Sequence, residues 1–163
     1  MLLYLIRHGQ AEDRSADGSD AGRALTPAGM KELRRVARRL VELGVRFDRT
    51  AASPLLRARQ TAEALLAEGV TPVVDEEEFL GGTGTVDELR AWIGRQRRRG
   101  VAAVAAVGHQ PDLGEWAEIL LCGDARGRIQ LKKAGIVALE LPGPGAAAGS
   151  CRLVWMTSPK LML

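Results

Sequence analysis

The stretch that decides the fold is LLYLIRHGQAE, residues 2–12, near the start of a chain of 163 residues. Its first part, Leu2–Ile6, is a continuous apolar run, as expected of a β-strand that is buried on both faces. The run ends on Arg7, His8 and Gly9. A buried strand that stops on a cation, an imidazole and a glycine places polar chemistry at its carboxyl end.

A second apolar run ends in the same manner. Val101–Val107 is the most apolar strand candidate of the chain, and it is followed by Gly108 and His109. His8 and His109 are the only two histidines in the sequence. In parallel sheets, ligand sites gather beyond the carboxyl ends of the strands. We therefore predict that both histidines face one crevice.

The other segments alternate between helix and strand. Helices are predicted at Thr26–Gly44, Pro54–Glu68, Val86–Arg98 and Leu113–Leu121. Strands are predicted at Phe47–Ala52, Pro72–Asp75, Ile136–Leu141 and Cys151–Met156. The last two are joined by PGPGAAAGS, residues 142–150, which is typical of a hairpin connection. The alternation predicts an α/β fold: a three-layer, mostly parallel β-sheet with helices on both faces and an antiparallel pair late in the chain.

Length and composition narrow the class of protein. The chain fits a single domain over residues 1–163, and its 46% hydrophobic and 26% charged residues are typical of a globular protein. No apolar run approaches the roughly 20 residues of a membrane helix, so we expect a cytoplasmic protein without a membrane partner. Cys122 and Cys151 have neither close spacing nor neighbouring histidines, which predicts free thiols and no metal site.

Arginine supplies most of the positive charge. One predicted helix carries an apolar stripe on one side and, on the other, Arg34, Arg35, Arg38 and Arg39. These arginines are therefore expected to form its solvated face. Because only 4% of the residues are aromatic and none interleaves with these arginines, no nucleic-acid partner is expected. The net charge of +3 is compatible with an acidic protein partner but does not identify one.

Two arginines accompany the histidines at the same predicted edge. Arg7 precedes His8, and Arg57 lies in SPLLRARQT, residues 53–61, after the second strand. A guanidinium binds two phosphoryl oxygens and does not titrate. A neutral imidazole beside it can attack phosphorus when its other nitrogen is held by a hydrogen bond. A lone histidine at a strand end is more often structural, but two equivalent sets of residues favour phosphoryl transfer through a phosphohistidine.

Four ordered motifs resemble those of the histidine phosphatase superfamily, also called the phosphoglycerate mutase-like superfamily. They are LIRHGQAE at 5–12, GRALTPAG at 22–29, SPLLRARQTA at 53–62 and GHQP at 108–111. The short length and the ending WMTSPKLML, residues 155–163, further resemble the SixA-type phosphohistidine phosphatases. The resemblance covers essentially the whole chain. It implies a phosphoglycerate mutase-like fold and a metal-independent phosphatase that needs no cofactor.

The resemblance also implies a role for each matching residue. His8 would be the nucleophile that becomes phosphorylated, and Arg7 and Arg57 would clamp the phosphoryl oxygens. His109 would donate a further hydrogen bond to these oxygens as charge develops in the transition state. Water would then release inorganic phosphate. Arg23, in the second motif, would contact the phosphate or the partner near the pocket mouth, or would simply be a surface arginine.

Other residues of the same motifs are expected to be structural. Ser53 is placed to bond the local backbone, and Gln60 lies one helical turn beyond Arg57. Thr26 and Gly29 are explained by helix capping and by close packing, respectively.

The region after the third predicted strand departs from the pattern of those superfamily members that act on alcohol esters. Such members place a carboxylic acid there to protonate the leaving oxygen. In this chain the region reads DEEEFLGGTGTVDEL, residues 75–89, and its loop, Gly81–Gly84, carries no carboxylate. Glu78 could still reach the site, although a solvated strand end explains the acidic run equally well.

A missing acid affects substrates unequally. An alkoxide needs a proton to leave, whereas imidazole, with a pKa of about 6.5, makes a smaller demand on general acid catalysis. The absence of a large inserted lid also favours a site open to a side chain of another protein. We therefore expect a phosphohistidine phosphatase that acts on histidine-containing phosphotransfer proteins. A general small-molecule phosphomonoesterase and a non-catalytic phosphate-binding module are the alternatives.

Overall fold

A computed structural model describes residues 1–143 and 147–163 of the chain. Within these residues the strands are β1 (Leu2–Arg7), β2 (Arg49–Ala52), β3 (Val74–Glu76), β4 (Ala103–Gly108), β5 (Ile136–Glu140) and β6 (Arg152–Thr157). The α-helices are α1 (Pro27–Glu42), α2 (Leu56–Ala67), α3 (Val86–Arg98), α4 (Asp112–Cys122) and α5 (Pro159–Met162). Every strand and helix predicted from the sequence is present, with small shifts in its bounds. The short α5 and a 3-10 turn at Glu78–Leu80 were not predicted.

The strands form a sheet in the order β3-β2-β4-β1-β5-β6. The first four strands of this order are parallel, and β5 runs antiparallel to both β1 and β6. The predicted antiparallel pair late in the chain is therefore confirmed. Part of the predicted hairpin connection, residues 144–146, lies outside the described residues. Because Arg7 of β1 is opposite Gly108 of β4, these two central strands end at the same edge.

The central strands are covered on both faces. Leu3 and Leu5 of β1 are fully buried in a core with α3 and α4. Tyr4 and Ile6 point to the other face, where they pack in a core with α1 and α2. Successive side chains of a strand alternate between faces, so a strand buried on both sides has no polar position. This explains the continuous apolar run, and it confirms the three-layer α/β arrangement.

Helix α1 begins where the capping pattern predicts. Thr26 is the N-cap, and its hydroxyl oxygen accepts a hydrogen bond from the backbone N–H of Gly29 at 2.9 Å. A Cβ atom on Gly29 would lie 2.3 Å from the carbonyl oxygen of Gln10. Only glycine therefore lets α1 pack so closely on the segment after β1. This contact fixes the chain just beyond His8.

The arginine face of α1 points to solvent, as expected. Arg38 donates to Glu68 at 2.9 Å, and Arg39 donates to Glu42 at 3.0 Å, in exposed ion pairs. Such pairs contribute little stability, about 1 kcal/mol at most. The arginine cluster of α1 is therefore a solvated helix face.

The remaining sequence expectations concern thiols, metals and membranes. Cys122 is exposed and Cys151 is buried, and both are free thiols. Across residues 1–143 and 147–163, the side chains form no cluster of three or more histidine, cysteine, aspartate or glutamate residues that could hold a metal ion. No helix in this part of the chain has the length and apolar character needed to cross a membrane.

Candidate active site

The ends of β1 and β4 place the two histidines side by side. The ring centroids of His8 and His109 are 5.0 Å apart, and the two residues are only 4% and 8% exposed. The backbone N–H of His8 donates to the carbonyl of Gly108 at 3.1 Å, which continues the pairing of the two strands. The N–H of Gly9 donates to the hydroxyl of Thr61 on α2 at 3.1 Å. Backbone bonds therefore fix the position of the His8 ring.

The His8 ring is neutral and has a defined tautomer. Its Nδ1 lies 2.8 Å from the carbonyl oxygen of Gly9, and since a carbonyl only accepts, Nδ1 must carry the hydrogen. The lone pair is then on Nε2. Burial, followed by the charge of Lys133, lowers the pKa of His8 to about 3. At neutral pH the imidazole is therefore uncharged, and its Nε2 lone pair is available, as a nucleophile requires.

The His109 ring is held from one side only. Its Nε2 forms a 2.8 Å hydrogen bond with the hydroxyl of Ser53, which follows β2. Its Nδ1 is buried and has no hydrogen-bond partner among the described residues. Burial, followed by the charge of Arg57, lowers the pKa of His109 to about 4. A buried polar atom without a partner is rare, and this one is available to bond a ligand.

Arg7 and Arg57 enter the site from different elements. Arg57 lies on α2, is 7% exposed, and donates to both the backbone carbonyl and the carboxylate of Asp20, at 2.7 and 2.8 Å. Arg7 donates from Nη1 to the carbonyl of Leu131 at 2.8 Å. Its Nε is buried and has no partner in the described part of the chain. Each guanidinium is thus fixed by backbone oxygen, and Arg7 keeps a donor for a ligand.

A carboxylate that the sequence analysis did not single out lies on the arginines. Asp20 accepts from Arg23 and from Arg57, at 2.8 Å in each case. These two hydrogen bonds, that from Arg23 first, lower the pKa of Asp20, so it is ionised at neutral pH. Arg23 also donates from Nε to the carbonyl of Glu12 at 2.7 Å. Arg23 therefore reaches the site by way of Asp20.

A second unpredicted residue, Lys133, lies next to His8. Its Nζ is 3.4 Å from Nε2 of His8. Lys133 precedes β5, and because β5 is antiparallel to β1, its first residues lie at the edge where β1 ends. The sequence predicted β5 to be antiparallel to β6 but did not predict its pairing with β1, so no sequence signal located this residue.

The expected structural residues have identifiable contacts. Ser53 accepts from the backbone N–H of Leu55 at 3.2 Å, besides its bond to His109. The side-chain oxygen of Gln60 accepts from the N–H of Leu25 at 2.7 Å, which ties α2 to the start of α1. Ser53 therefore also orients a site residue, a contact that the sequence did not reveal.

Among the described residues, Glu78 forms no hydrogen bond or ion pair with this cluster. It is exposed at the start of the 3-10 turn and lines a surface groove with Glu77 and Arg95, on the side of α3. Within residues 1–143 and 147–163, Asp20 is the carboxylate that bonds to the arginines of the site.

An open groove adjoins the site. It has a volume of about 400 Å³ and starts at Arg7. Its other walls are Gln110, Pro111, Glu115 and the segment 127–132. Arg7 is the residue that this groove shares with the site.

Comparisons with known proteins agree with this geometry. The profile of the histidine phosphatase superfamily (branch 1) matches residues 3–81. An uncharacterized protein of Picosynechococcus is 42% identical over 164 residues, which span 100% of this chain and 99% of that protein. The phosphohistidine phosphatase SixA of Escherichia coli K12 is 30% identical over 163 residues, 98% of this chain and 94% of SixA.

Solved structures give the same result. The protein histidine phosphatase SixA in complex with tungstate superimposes with a TM-score of 0.88 at 27% identity, over 100% of both chains. The alpha-ribazole phosphatase of Shigella flexneri has a TM-score of 0.73 at 17% identity, covering 98% of this chain and 97% of that one. The second similarity shows the shared fold alone.

Proposed function

Because this chain belongs to the histidine phosphatase superfamily and, within it, to the SixA-type phosphohistidine phosphatases, we propose that it dephosphorylates histidine-containing phosphotransfer proteins through a phosphohistidine on His8. The chain is a phosphatase; the substrate and the covalent intermediate are the proposed part. The observation that carries the proposal is the neutral His8 ring, whose Nδ1–H is bound to Gly9 and whose Nε2 lies among cations.

The first step is transfer of the phosphoryl group to His8. The Nε2 lone pair forms a bond to phosphorus while the bond from phosphorus to the substrate nitrogen breaks, and that electron pair stays on the substrate imidazole. Arg7, Arg57 and His109 donate hydrogen bonds to the phosphoryl oxygens. Each well-placed donor of this kind stabilises a transition state by about 3 kcal/mol. The carboxylate of Asp20 accepts from Nη2 of Arg57, so it competes with a phosphoryl group for this donor.

The second step is hydrolysis. A water oxygen attacks phosphorus, the bond from phosphorus to Nε2 breaks, and the electron pair returns to His8. Inorganic phosphate leaves, and the proton of the water is released to phosphate or solvent. The neutral ring is restored, since its pKa of about 3 lies far below neutral pH.

The acids near the site favour phosphohistidine over an alcohol ester. Asp20 is ionised and bonded to two arginines, so it is a poor proton donor, and Glu78 lies on another surface. An alkoxide would have to leave without receiving a proton, which is unfavourable. An imidazole, by contrast, leaves as a stable neutral base once its ring is protonated. This is a chemical argument for the phosphoramidate bond.

The open groove beside Arg7 favours a macromolecular substrate. A substrate protein is too large to enter a closed pocket, so its phosphohistidine side chain must reach His8 from the surface. The groove of about 400 Å³ that starts at Arg7 offers a surface on which the substrate protein would lie beside the site. Histidine-containing phosphotransfer proteins operate in signal transduction in the cytoplasm, where we place this enzyme.

Trapping of the intermediate tests the proposal. We expect that a phosphotransfer protein labelled with ³²P on histidine transfers its label to the wild-type chain as an acid-labile, alkali-stable adduct at His8, and that labelled phosphate then accumulates. The matched control is His8→Ala, which should take up no label. Release of phosphate without any label on the enzyme, or equal release by His8→Ala, would overturn the covalent route.

A further inference from the structure

The geometry points to Lys133 as a catalytic residue whose ammonium group binds the phosphoryl oxygens while phosphorus is bonded to His8. The inference rests on the proposed function, because it concerns the same transferred group. Its first support is distance: Nζ of Lys133 lies 3.4 Å from Nε2 of His8, the nitrogen with the lone pair. An ammonium group at this distance from Nε2 is within reach of the oxygens of a phosphoryl group bonded to Nε2.

The second support is the way in which the backbone positions this lysine. The segment from 131 to 135, which we call the β5 entry loop, is bonded to the end of β1 at three points. The N–H of Ala134 donates to the carbonyl of His8 at 3.1 Å, and the N–H of Arg7 donates to the carbonyl of Gly135 at 3.0 Å. The guanidinium of Arg7 donates to the carbonyl of Leu131 at 2.8 Å. Lys133 is thus fixed to the same strand end as the nucleophile.

The third support is strain next to the lysine. Ala134 has a φ of 53°, and among the described residues other than glycine it is the one with positive φ. Such a conformation is unfavourable for a residue with a Cβ, and it persists only when the surroundings enforce it. Ala134 is 1% exposed, so packing does enforce it. The turn brings the side chain of Lys133 back over His8.

The positive charge of Lys133 titrates near neutral pH, which distinguishes it from an arginine or a neutral residue at this position. The titratable and charged groups around it are Arg7 and His8 from β1, Asp20 and Arg23 from the loop before α1, Arg57 from α2, and His109 from β4. Burial, then the charge of Arg7, lowers the pKa of Lys133 to about 8. The ammonium form is therefore lost as the pH of the free enzyme rises through about 8, and a phosphoryl dianion would shift this loss to higher pH.

The test compares four forms of the chain on one phosphohistidine substrate: wild type, Lys133→Met, Lys133→Arg and Lys31→Met. Lys31 is exposed on α1, so Lys31→Met makes the same charge change away from the site. We expect Lys133→Met to lower kcat/KM at pH 7 by about tenfold to a hundredfold, the effect of removing one donor to a charged transition state. Lys133→Arg should recover most of this loss.

The pH profile separates catalysis from structure. In the wild type, kcat/KM should fall above about pH 8, and the fall in kcat should lie at higher pH. Lys133→Arg should lose this alkaline fall, because a guanidinium does not titrate in the range. If Lys133→Met keeps the activity of Lys31→Met, or if Lys133→Arg retains the fall, the inference is overturned.

Binding of tungstate distinguishes the inference from the proposed function. We expect calorimetry with tungstate at pH 7 to show weaker binding to Lys133→Met than to Lys31→Met, whatever the physiological substrate is. Equal tungstate binding by the two variants would contradict a contact between Lys133 and the oxyanion. If instead the wild type fails to release phosphate from phosphohistidine while this binding difference persists, the proposed substrate is wrong and the role of Lys133 stands.

Discussion

The site is built from two regions that differ in how they are held. The strand-end set, Arg7, His8 and His109, follows directly from two strands buried on both faces, and backbone hydrogen bonds fix it in place. The loop set, Asp20 and Lys133, reaches the same point from irregular segments. The strand ends therefore hold Arg7, His8 and His109 in a rigid frame. The loops add a carboxylate on Arg57 and an ammonium group beside His8.

The comparison shows why the two regions should respond differently to substitution. Removing a group that reacts, or that stabilises the transition state, lowers kcat. Removing a loop charge that competes with substrate alters KM instead. Whether a substitution changes kcat or KM therefore shows which of the two roles the residue has.

We expect His8→Ala to show the largest effect, a loss of kcat of at least about a thousandfold, because the proposed covalent intermediate forms on His8. The assay is phosphate release from phosphohistidine, with circular dichroism to show that the fold persists. Retention of substantial turnover by folded His8→Ala would remove His8 as the nucleophile.

Arg57→Ala should lower kcat by about a hundredfold to a thousandfold, since its guanidinium is needed mainly for the charge that develops in the transition state. Its melting temperature should change little. The matched control is Arg59→Ala, an exposed arginine on the same helix whose nearest acidic oxygen, on Glu76, is 3.8 Å away. A similar loss in both variants would assign the effect to the helix and not to the site.

Ser53→Ala should have an intermediate effect. The variant removes the hydroxyl that holds Nε2 of His109, a contact of about 1 kcal/mol, so we expect roughly a fivefold decrease in kcat/KM. Steady-state kinetics of the variant beside wild type checks this. An unchanged kcat/KM would show that the orientation of His109 does not depend on Ser53.

Asp20→Asn should improve binding without slowing the reaction. Loss of the carboxylate charge frees the guanidinium of Arg57 for anions, so KM and the inhibition constant of phosphate should fall several-fold at an unchanged kcat. Inhibition by inorganic phosphate is the direct measurement. A large fall in kcat, confined to ester substrates, would instead identify Asp20 as the missing acid.

The last prediction concerns stability against pH, not activity. His8 and His109 have folded-state pKa values of about 3 and about 4, below the unfolded value of about 6.5, so the unfolded chain binds more protons in between. The free energy of unfolding should be highest above pH 6.5 and fall as pH decreases toward 4.5. Urea unfolding at several pH values measures this slope, and His8→Ala should show a shallower one. An identical slope in the two proteins would contradict the low pKa of His8.

The strand-end set was accessible from the sequence because its signal is local. An apolar run followed by Arg7 and His8, and another followed by His109, determine both the strands and their common edge. The loop set has no such signal. Asp20 lies in a polar stretch where any carboxylate would look solvated, and its contacts depend on how that loop folds over Arg57.

Lys133 was missed for a different reason. Its position follows from the antiparallel pairing of β5 with β1 and from the turn at Ala134, neither of which was predicted. Glycine and asparagine in a sequence indicate a position with positive φ, but an alanine does not. Glu78 shows the converse case, since proximity in sequence to a strand end does not place a side chain at the site when a 3-10 turn directs it elsewhere.

The most direct test of the central claim compares kcat/KM on two substrates, measured without added metal. One is a phosphotransfer protein that carries phosphohistidine, and the other is a simple alcohol phosphate ester; the result is the ratio of the first value to the second. A site with a neutral histidine nucleophile and without an available acid should prefer the phosphoramidate strongly. We therefore expect a ratio far above one. Equal or greater activity on the ester would contradict the account and reassign the chain as a general phosphomonoesterase with an acid of its own.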